Sequence, residues 1–270
     1  ITCRDWSSDV CSSDLRLNNG NAYCVSGSDE DDEHLFVSHR RDIAGRLADR
    51  GFSVSQQHAP SASDFAASAL DQDIVFFTPH GYAWGTCGLD STEIGDGFDP
   101  GTARPLVFAS SCLTGRYPAG SGTFGEQFLW KGAAAYVGAT EVTWHVSSPG
   151  IDVCGWGPRF TEAFFARLEA GRTLGRTLTL AKQRRLSGAA NTYSWDWNRN
   201  RYHCAIYHFL GDPKLEIAYA ASISLRPMDL DDPGEPDPLP GPRSQLELAI
   251  PSYQVTQHPA GEREIGRAHV

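Results

Sequence analysis

The segment Asp73-Ile-Val-Phe-Phe-Thr-Pro-His80-Gly81 decides the fold: it is an apolar run that ends in turn-forming residues. A second run of the same kind, Pro105-Leu-Val-Phe-Ala-Ser-Ser-Cys112, follows further along the chain. Short apolar runs of this composition are typical of strands buried in a parallel sheet. The first run ends on an imidazole and the second on a thiol. Because reactive groups collect beyond the carboxyl ends of strands in open α/β sheets, we expect both groups to face one crevice.

Strand-like and helix-like patterns alternate on either side of these two runs. Further strands are predicted over 21–27, 52–54, 133–138 and 202–210. Helical spacing of apolar residues predicts helices over 36–50, 61–70 and 124–131, and a pair over 160–186 hinged at Gly171. The pattern indicates an α/β fold, with a mostly parallel six-stranded sheet and helices on both faces. Residues 81–103 show little periodicity, which predicts a long irregular loop.

The two ends of the chain are set aside before any domain is assigned. Residues 4–15 resemble the in-frame translation of a sequencing adapter, and residues 265–270 resemble its reverse complement. We therefore interpret 1–15 and 265–270 as adapter-derived, and expect the sequence between them to be a fragment of a longer natural protein. Between them we predict one α/β domain, a Pro- and Asp-rich linker and the start of a truncated β domain, over 16–220, 221–244 and 245–264.

The charge of the chain argues against two classes of partner. The formal net charge is −10 at pH 7. Nucleic acid and anionic membrane surfaces attract basic proteins, so neither is an expected partner. No apolar run reaches the roughly eighteen residues of a membrane span, so no transmembrane segment is visible.

The cysteines do not have the spacing of a structural metal site. Of seven cysteines, Cys3 and Cys11 fall in or beside the adapter-like segment. The other five are Cys24, Cys87, Cys112, Cys154 and Cys204. They form no Cys-x-x-Cys pair, so we predict no structural zinc site. Separately, we expect no cofactor.

His80 and Cys112 together suit nucleophilic catalysis. A cysteine attacks as its thiolate, whose formation an adjacent histidine favours. Backbone amides usually form the oxyanion hole, and the amides of Gly81 and Cys112 are the candidates here. Ser110 and Ser111 would keep the approach to the thiol narrow and polar. The spacing alone leaves open a buried structural cysteine and a satisfied histidine.

The motifs around both residues resemble those of the caspase-like clan of cysteine peptidases, and more narrowly those of the gingipain family. His80-Gly-Tyr-Ala-Trp-Gly-Thr86 is similar to the family's histidine segment, and Ala109-Ser-Ser-Cys-Leu-Thr-Gly115 to its nucleophile segment. The resemblance covers roughly residues 21–217. Three further segments follow in the family's order: Phe124-Gly-Glu-Gln-Phe128, Ala139-Thr-Glu-Val-Thr-Trp144 and Leu210-Gly-Asp-Pro-Lys-Leu215.

The resemblance implies a caspase-like cysteine peptidase domain over 16–220. Cys112 would be the nucleophile and His80 the general acid and base of an endopeptidase that works through an acyl-enzyme. Asp29 matches the family's acidic residue that orients the histidine, although an acidic loop in solvent is an equally good interpretation. The residue with which well-known members bind a basic side chain falls near Phe36, so a preference for Arg or Lys is not implied.

The resemblance also suggests a substrate pocket and a location. Trp84 and Trp144 would line the pocket, with ordinary core aromatics as the alternative. His203 and His208, which flank the last predicted strand, are expected to be structural. We expect a protein or peptide substrate, calcium at most as a structural ion, and a secreted or cell-surface location. Two alternative functions stay open: a catalytically silent caspase-like interaction module, and a Cys-His acyltransferase or transpeptidase.

Overall fold

The computed structural model describes residues 16–17, 19–27, 33–117, 122–144, 146–148, 151–154, 156–187 and 195–217. They all lie in the first of two compact units, Ile1–Leu225. The second unit, Arg226–Val270, lies outside the described residues, as do the predicted linker and β domain.

Within the described ranges the chain forms seven helices and thirteen short strands. The helices are α1 (Glu33–Ala48), α2 (Ala62–Ala69), α3 (Ser91–Gly97), α4 (Phe124–Trp130), α5 (Trp156–Phe165), α6 (Leu174–Ser187) and α7 (Trp195–Ile206). The strands are β1 (Arg16–Leu17), β2 (Asn21–Ser26), β3 (Ser53–His58), β4 (Ile74–Phe77), β5 (Gly81–Tyr82), β6 (Gly85–Thr86), β7 (Leu89–Asp90), β8 (Leu106–Ala109), β9 (Ala135–Ala139), β10 (Val146–Ser148), β11 (Ile151–Cys154), β12 (Tyr207–Gly211) and β13 (Glu216–Ile217).

The main sheet has six strands in the order β12-β9-β8-β4-β2-β3. All neighbours pair in parallel except β12, which runs antiparallel to β9 at one edge. Phe76 and Phe108 belong to the apolar cluster on one face, with residues of α1, α5 and α6. Phe77 and Ala109 belong to the cluster on the other face, with residues of α2, α3 and α4. This arrangement confirms the predicted α/β fold class and explains the continuous apolar runs, since both faces of the central strands are buried.

The predicted loop over 81–103 is wrong: this part of the chain folds into β5, β6, β7 and α3. Cys87 and Gly88 both have positive φ, 59° and 78°, as a tight type I′ hairpin turn requires. Asp90 then caps α3 in a capping box with Glu93. Periodicity could not reveal these strands because each is only two residues long.

The predicted last strand over 202–210 is wrong in its first half. Helix α7 continues to Ile206, and β12 begins only at Tyr207. Cys204 and Ile206 are buried in the same cluster as Tyr207, and a short buried apolar run does not distinguish a helix end from a strand. Among the described residues, none of the helices has the length and hydropathy that a membrane span would need.

Candidate active site

The two reactive residues follow neighbouring strands of the main sheet. Phe77 of β4 and Ala109 of β8 are register partners in a parallel pair. His80 and Cys112 each stand three residues beyond these partners. The sheet therefore brings the imidazole segment and the thiol segment to the same edge, as expected from the sequence.

The two segments are in direct contact at this edge. A Cβ atom added to Gly81 would lie 2.8 Å from the Cys112 carbonyl oxygen and 2.8 Å from the Thr114 side chain. The Thr86 hydroxyl donates to the His80 carbonyl at 2.8 Å and lies 3.2 Å from the Ser111 hydroxyl. Glycine is therefore required at position 81 for the two backbones to approach this closely.

Cys112 lies in a sharp turn that other segments hold in shape. The next residue, Leu113, has a φ of 60°, in the left-handed region that a leucine rarely adopts. Its amide donates to the Glu141 carbonyl at 3.2 Å, and the Gly115 amide donates to the Ala139 carbonyl at 2.8 Å. These bonds offset the cost of the strained turn and fix the backbone of Cys112.

The sulfur of Cys112 lies close to three polar atoms of Thr143. Sγ lies 3.3 Å from the Thr143 amide nitrogen and 3.5 Å from both its carbonyl and its hydroxyl oxygen. The thiol can donate to the carbonyl, whereas the amide and the hydroxyl can donate to a thiolate.

Cys112 is the accessible thiol among the four cysteines whose side chains the structure describes. Cys24, Cys87 and Cys204 are buried, and Cys112 is half-buried. Burial raises the pKa of Cys24 to about 12 and that of Cys204 to about 11, and it raises the pKa of Cys87 well above its ordinary value. These three are protonated core residues.

The imidazole of His80 is exposed and packs against an aromatic ring. Phe36 meets it edge-on with ring centroids 5.0 Å apart, and Phe36 itself is buried. An apolar side chain thus occupies the position near which the family's specificity acid was expected. Asp29, the predicted orienting acid, lies outside the described residues.

The predicted substrate-contacting residues divide into two groups. Trp84 is exposed, and Trp144 is half-buried with the Arg199 guanidinium 4.6 Å from its ring centroid. Ser110 and Ser111 are fully buried. The Ser110 hydroxyl accepts from Thr161 at 3.0 Å. Both serines are therefore enclosed in the turn that carries Cys112, and their contact with substrate stays a prediction.

Sequence reasoning missed two residues that contact the reactive segments. Thr86 closes the Ala-Trp-Gly-Thr stretch and Thr143 precedes the predicted pocket tryptophan, so both were quoted without a role. Their contacts come from tertiary structure. Among the described side chains, no group of three or more His, Cys, Asp or Glu could hold a metal ion.

A six-stranded, mostly parallel sheet of this order, with a histidine and a cysteine beyond adjacent strands, defines the caspase-like class of fold. Peptidase family C25 matches residues 25–218, which is most of the sequence. The chain therefore belongs to this family of cysteine peptidases, which confirms the resemblance seen in the motifs. No curated protein matches it in sequence.

Solved structures show the same fold at low sequence identity. The Arg-specific cysteine proteinase gingipain R is similar over 75% of this chain and 49% of its own, with 17% identity and a TM-score of 0.55. The chain thus spans about half the length of that relative. Separase from Saccharomyces cerevisiae, in its complex with securin, is similar over 76% of this chain and 13% of its own, with 12% identity and a TM-score of 0.50.

Proposed function

We propose that this domain is a cysteine endopeptidase that hydrolyses peptide bonds through Cys112 and His80. One observation carries the proposal: the histidine segment and the turn of the accessible thiol touch each other beyond adjacent strands. Membership of a cysteine peptidase family supports it. Protein or peptide substrates and a secreted or cell-surface location are part of the same proposal, and rest on the family resemblance.

In the proposed mechanism, His80 takes the proton of the Cys112 thiol and the thiolate attacks the scissile carbonyl carbon. The oxyanion of the tetrahedral intermediate accepts from the amides of Gly81 and Cys112. The carbon–nitrogen bond then breaks, His80 gives its proton to the leaving amine, and an acyl-enzyme remains on the sulfur. Water, with His80 as base, attacks this thioester and releases the acid and the thiol.

The test is turnover of a mixed peptide library by the wild-type protein and two variants. Cys112→Ala should abolish cleavage with the fold retained. His80→Ala should lower kcat/KM by roughly 10²- to 10⁴-fold, the usual contribution of a general base. His208→Ala is the matched control, since His208 is an exposed histidine on β12 at the far edge of the sheet.

Three outcomes separate the proposal from its alternatives. Cleavage by Cys112→Ala at the wild-type rate would overturn the mechanism. A wild-type protein that cleaves nothing, whose cysteines all react alike with a thiol probe, would favour the silent interaction module. Products joined to an added amine, in place of hydrolysed peptides, would favour the acyltransferase or transpeptidase.

A further inference from the structure

The segment 142–144 (Val142-Thr143-Trp144), here called the strap, lies against the sulfur of Cys112. It belongs to the connection between β9 and β10. Within it, Thr143 offers two donors to the sulfur: its amide at 3.3 Å and its hydroxyl at 3.5 Å. Thr143 is 6% exposed, so water competes little for these donors.

Helix α7 holds the strap on both sides of Thr143. The Tyr202 hydroxyl donates to the Val142 carbonyl at 3.0 Å. The Trp144 amide donates to Nε2 of His203 at 3.2 Å. The amide of Gly157, at the start of α5, donates to the Trp144 carbonyl at 3.2 Å. The strap is therefore fixed at the residues before and after the one that meets the sulfur.

His203 is in the protonation state that this arrangement needs. It is 1% exposed, and its Nδ1 lies 2.9 Å from the Arg199 carbonyl, to which only an N–H can donate. The proton is therefore on Nδ1, and Nε2 is the acceptor for Trp144. Burial is the largest cause that lowers the pKa of His203 to about 4; the hydrogen bond to the Arg199 carbonyl opposes it, and the charges of Arg199 and Arg185 add to it. The imidazole thus stays neutral at ordinary pH.

We propose that Thr143 is a further catalytic residue, whose amide and hydroxyl donate to the Cys112 thiolate, and that His203 is the positioning residue that holds it there. The inference rests on Cys112 being the nucleophile of the proposed function. It assigns His203 more than the structural role expected from the sequence: its acceptor nitrogen sets the place of the donors beside the sulfur.

The test measures the thiolate without any substrate. The rate of Cys112 alkylation by iodoacetamide at about pH 7 is followed by peptide mapping, because the thiolate is the reactive form. Thr143→Val removes the hydroxyl at nearly constant shape and should slow alkylation about fivefold, the effect of roughly one hydrogen bond. Thr143→Ser restores a hydroxyl and should recover most of the wild-type rate.

A second matched pair tests His203. In His203→Gln the side-chain oxygen reaches the position of Nε2 and can accept from Trp144. In His203→Asn it reaches only the position of Nδ1. We expect His203→Asn to slow alkylation roughly fivefold and His203→Gln to stay near wild type. Thermal unfolding, measured alongside, identifies any variant that has lost its fold. If a His203 variant does not fold, the two Thr143 variants still test whether Thr143 donates to the thiolate.

The outcomes of this test are separable from those of the proposed function. Equal alkylation rates for wild type, Thr143→Val and His203→Asn would overturn the inference even in an active peptidase. Slowed alkylation in both variants of a protein that cleaves no peptide would support the inference and count against the peptidase. In an active protein, His203→Asn should lower kcat and leave KM near wild type, which a loss of substrate binding would not do.

Discussion

At the scale of single residues, Cys112 differs from its fellow cysteines in its surroundings. The other described thiols are packed in apolar clusters, where burial disfavours the thiolate. Cys112 meets solvent on one side and the polar atoms of Thr143 on the other. The position of Cys112 therefore makes it the most reactive of the described thiols.

This contrast predicts selective modification. Iodoacetamide at about pH 7.5 should alkylate Cys112 well before Cys24, Cys87 or Cys204, because the three buried thiols are protonated and shielded. Peptide mapping after a time course measures the order. Modification of Cys24 or Cys204 at the same rate as Cys112 would show that the described burial does not govern reactivity.

A second prediction at this scale concerns Gly81. Gly81→Ala puts a methyl group 2.8 Å from the Cys112 carbonyl oxygen and the Ser111 Cβ, both in the turn that carries Cys112. One segment must move, so kcat/KM for peptide cleavage should fall by at least about 10²-fold, as small misplacements of catalytic groups do. A variant with unchanged kcat/KM would show that the close approach is not needed.

Gly45→Ala is the matched control for this substitution. No atom lies within 4 Å of its added Cβ, and Gly45 is inside α1, far in sequence from both reactive residues. We expect unchanged activity and a free energy of unfolding higher by about 0.5–1 kcal/mol, since alanine is the better helix former.

At the scale of elements, the three-stranded β5-β6-β7 sheet joins the segment of His80 to the turn that carries Cys112. Gly81 of β5 pairs with Thr86 of β6, which places the threonine hydroxyl beside the His80 carbonyl. The same hydroxyl reaches Ser111 on the other segment. This small sheet therefore sets the distance between the segments of His80 and Cys112.

Removing the Thr86 hydroxyl should separate the effect of side-chain shape from that of hydrogen bonding. Thr86→Val leaves a carbonyl and a buried hydroxyl without their partner, which should cost about 1–3 kcal/mol of unfolding free energy and lower kcat/KM roughly tenfold. Thr86→Ser keeps the donor and should retain most of the activity. Urea unfolding and peptide kinetics measure the two quantities; equal loss in both variants would assign the role of Thr86 to packing.

At the scale of the whole molecule, His203 makes the stability of the fold depend on pH. Its pKa is lowered from 6.5 to about 4 in the folded protein. Between these values the unfolded chain binds a proton that the folded protein does not, so stability falls as the pH drops through this interval. The contribution of this group is fully present above about pH 6.5, and its loss reaches at most about 3 kcal/mol near pH 4.

His203→Gln isolates this contribution because glutamine does not titrate. The urea midpoint of the wild-type protein should fall between about pH 7.5 and pH 4.5 by more than that of the variant. Equal falls in both proteins would mean that other groups carry the acid sensitivity. The comparison between variants cancels the titration of residues such as Glu162, whose pKa burial raises.

The sheet and its two reactive ends could be predicted because their signals are local. The four residues of β4 and the four of β8 are all apolar. A continuous apolar run is what a parallel strand buried on both faces requires. Residues 81–103 were mispredicted because hairpin strands of two residues carry no period. The boundary at Ile206 was mispredicted because a short apolar run has the same sequence pattern at the end of a helix as in an edge strand.

The sequence by itself determined the α/β class and the place of His80 and Cys112 beyond the carboxyl ends of two buried strands. Tertiary structure alone decided which groups surround the sulfur. Thr143 reaches the sulfur from the connection after β9, and His203 of α7, far along the chain, accepts from the amide of the next residue, Trp144. Those hydrogen bonds depend on where distant segments return after folding, and neither composition nor spacing carries that information.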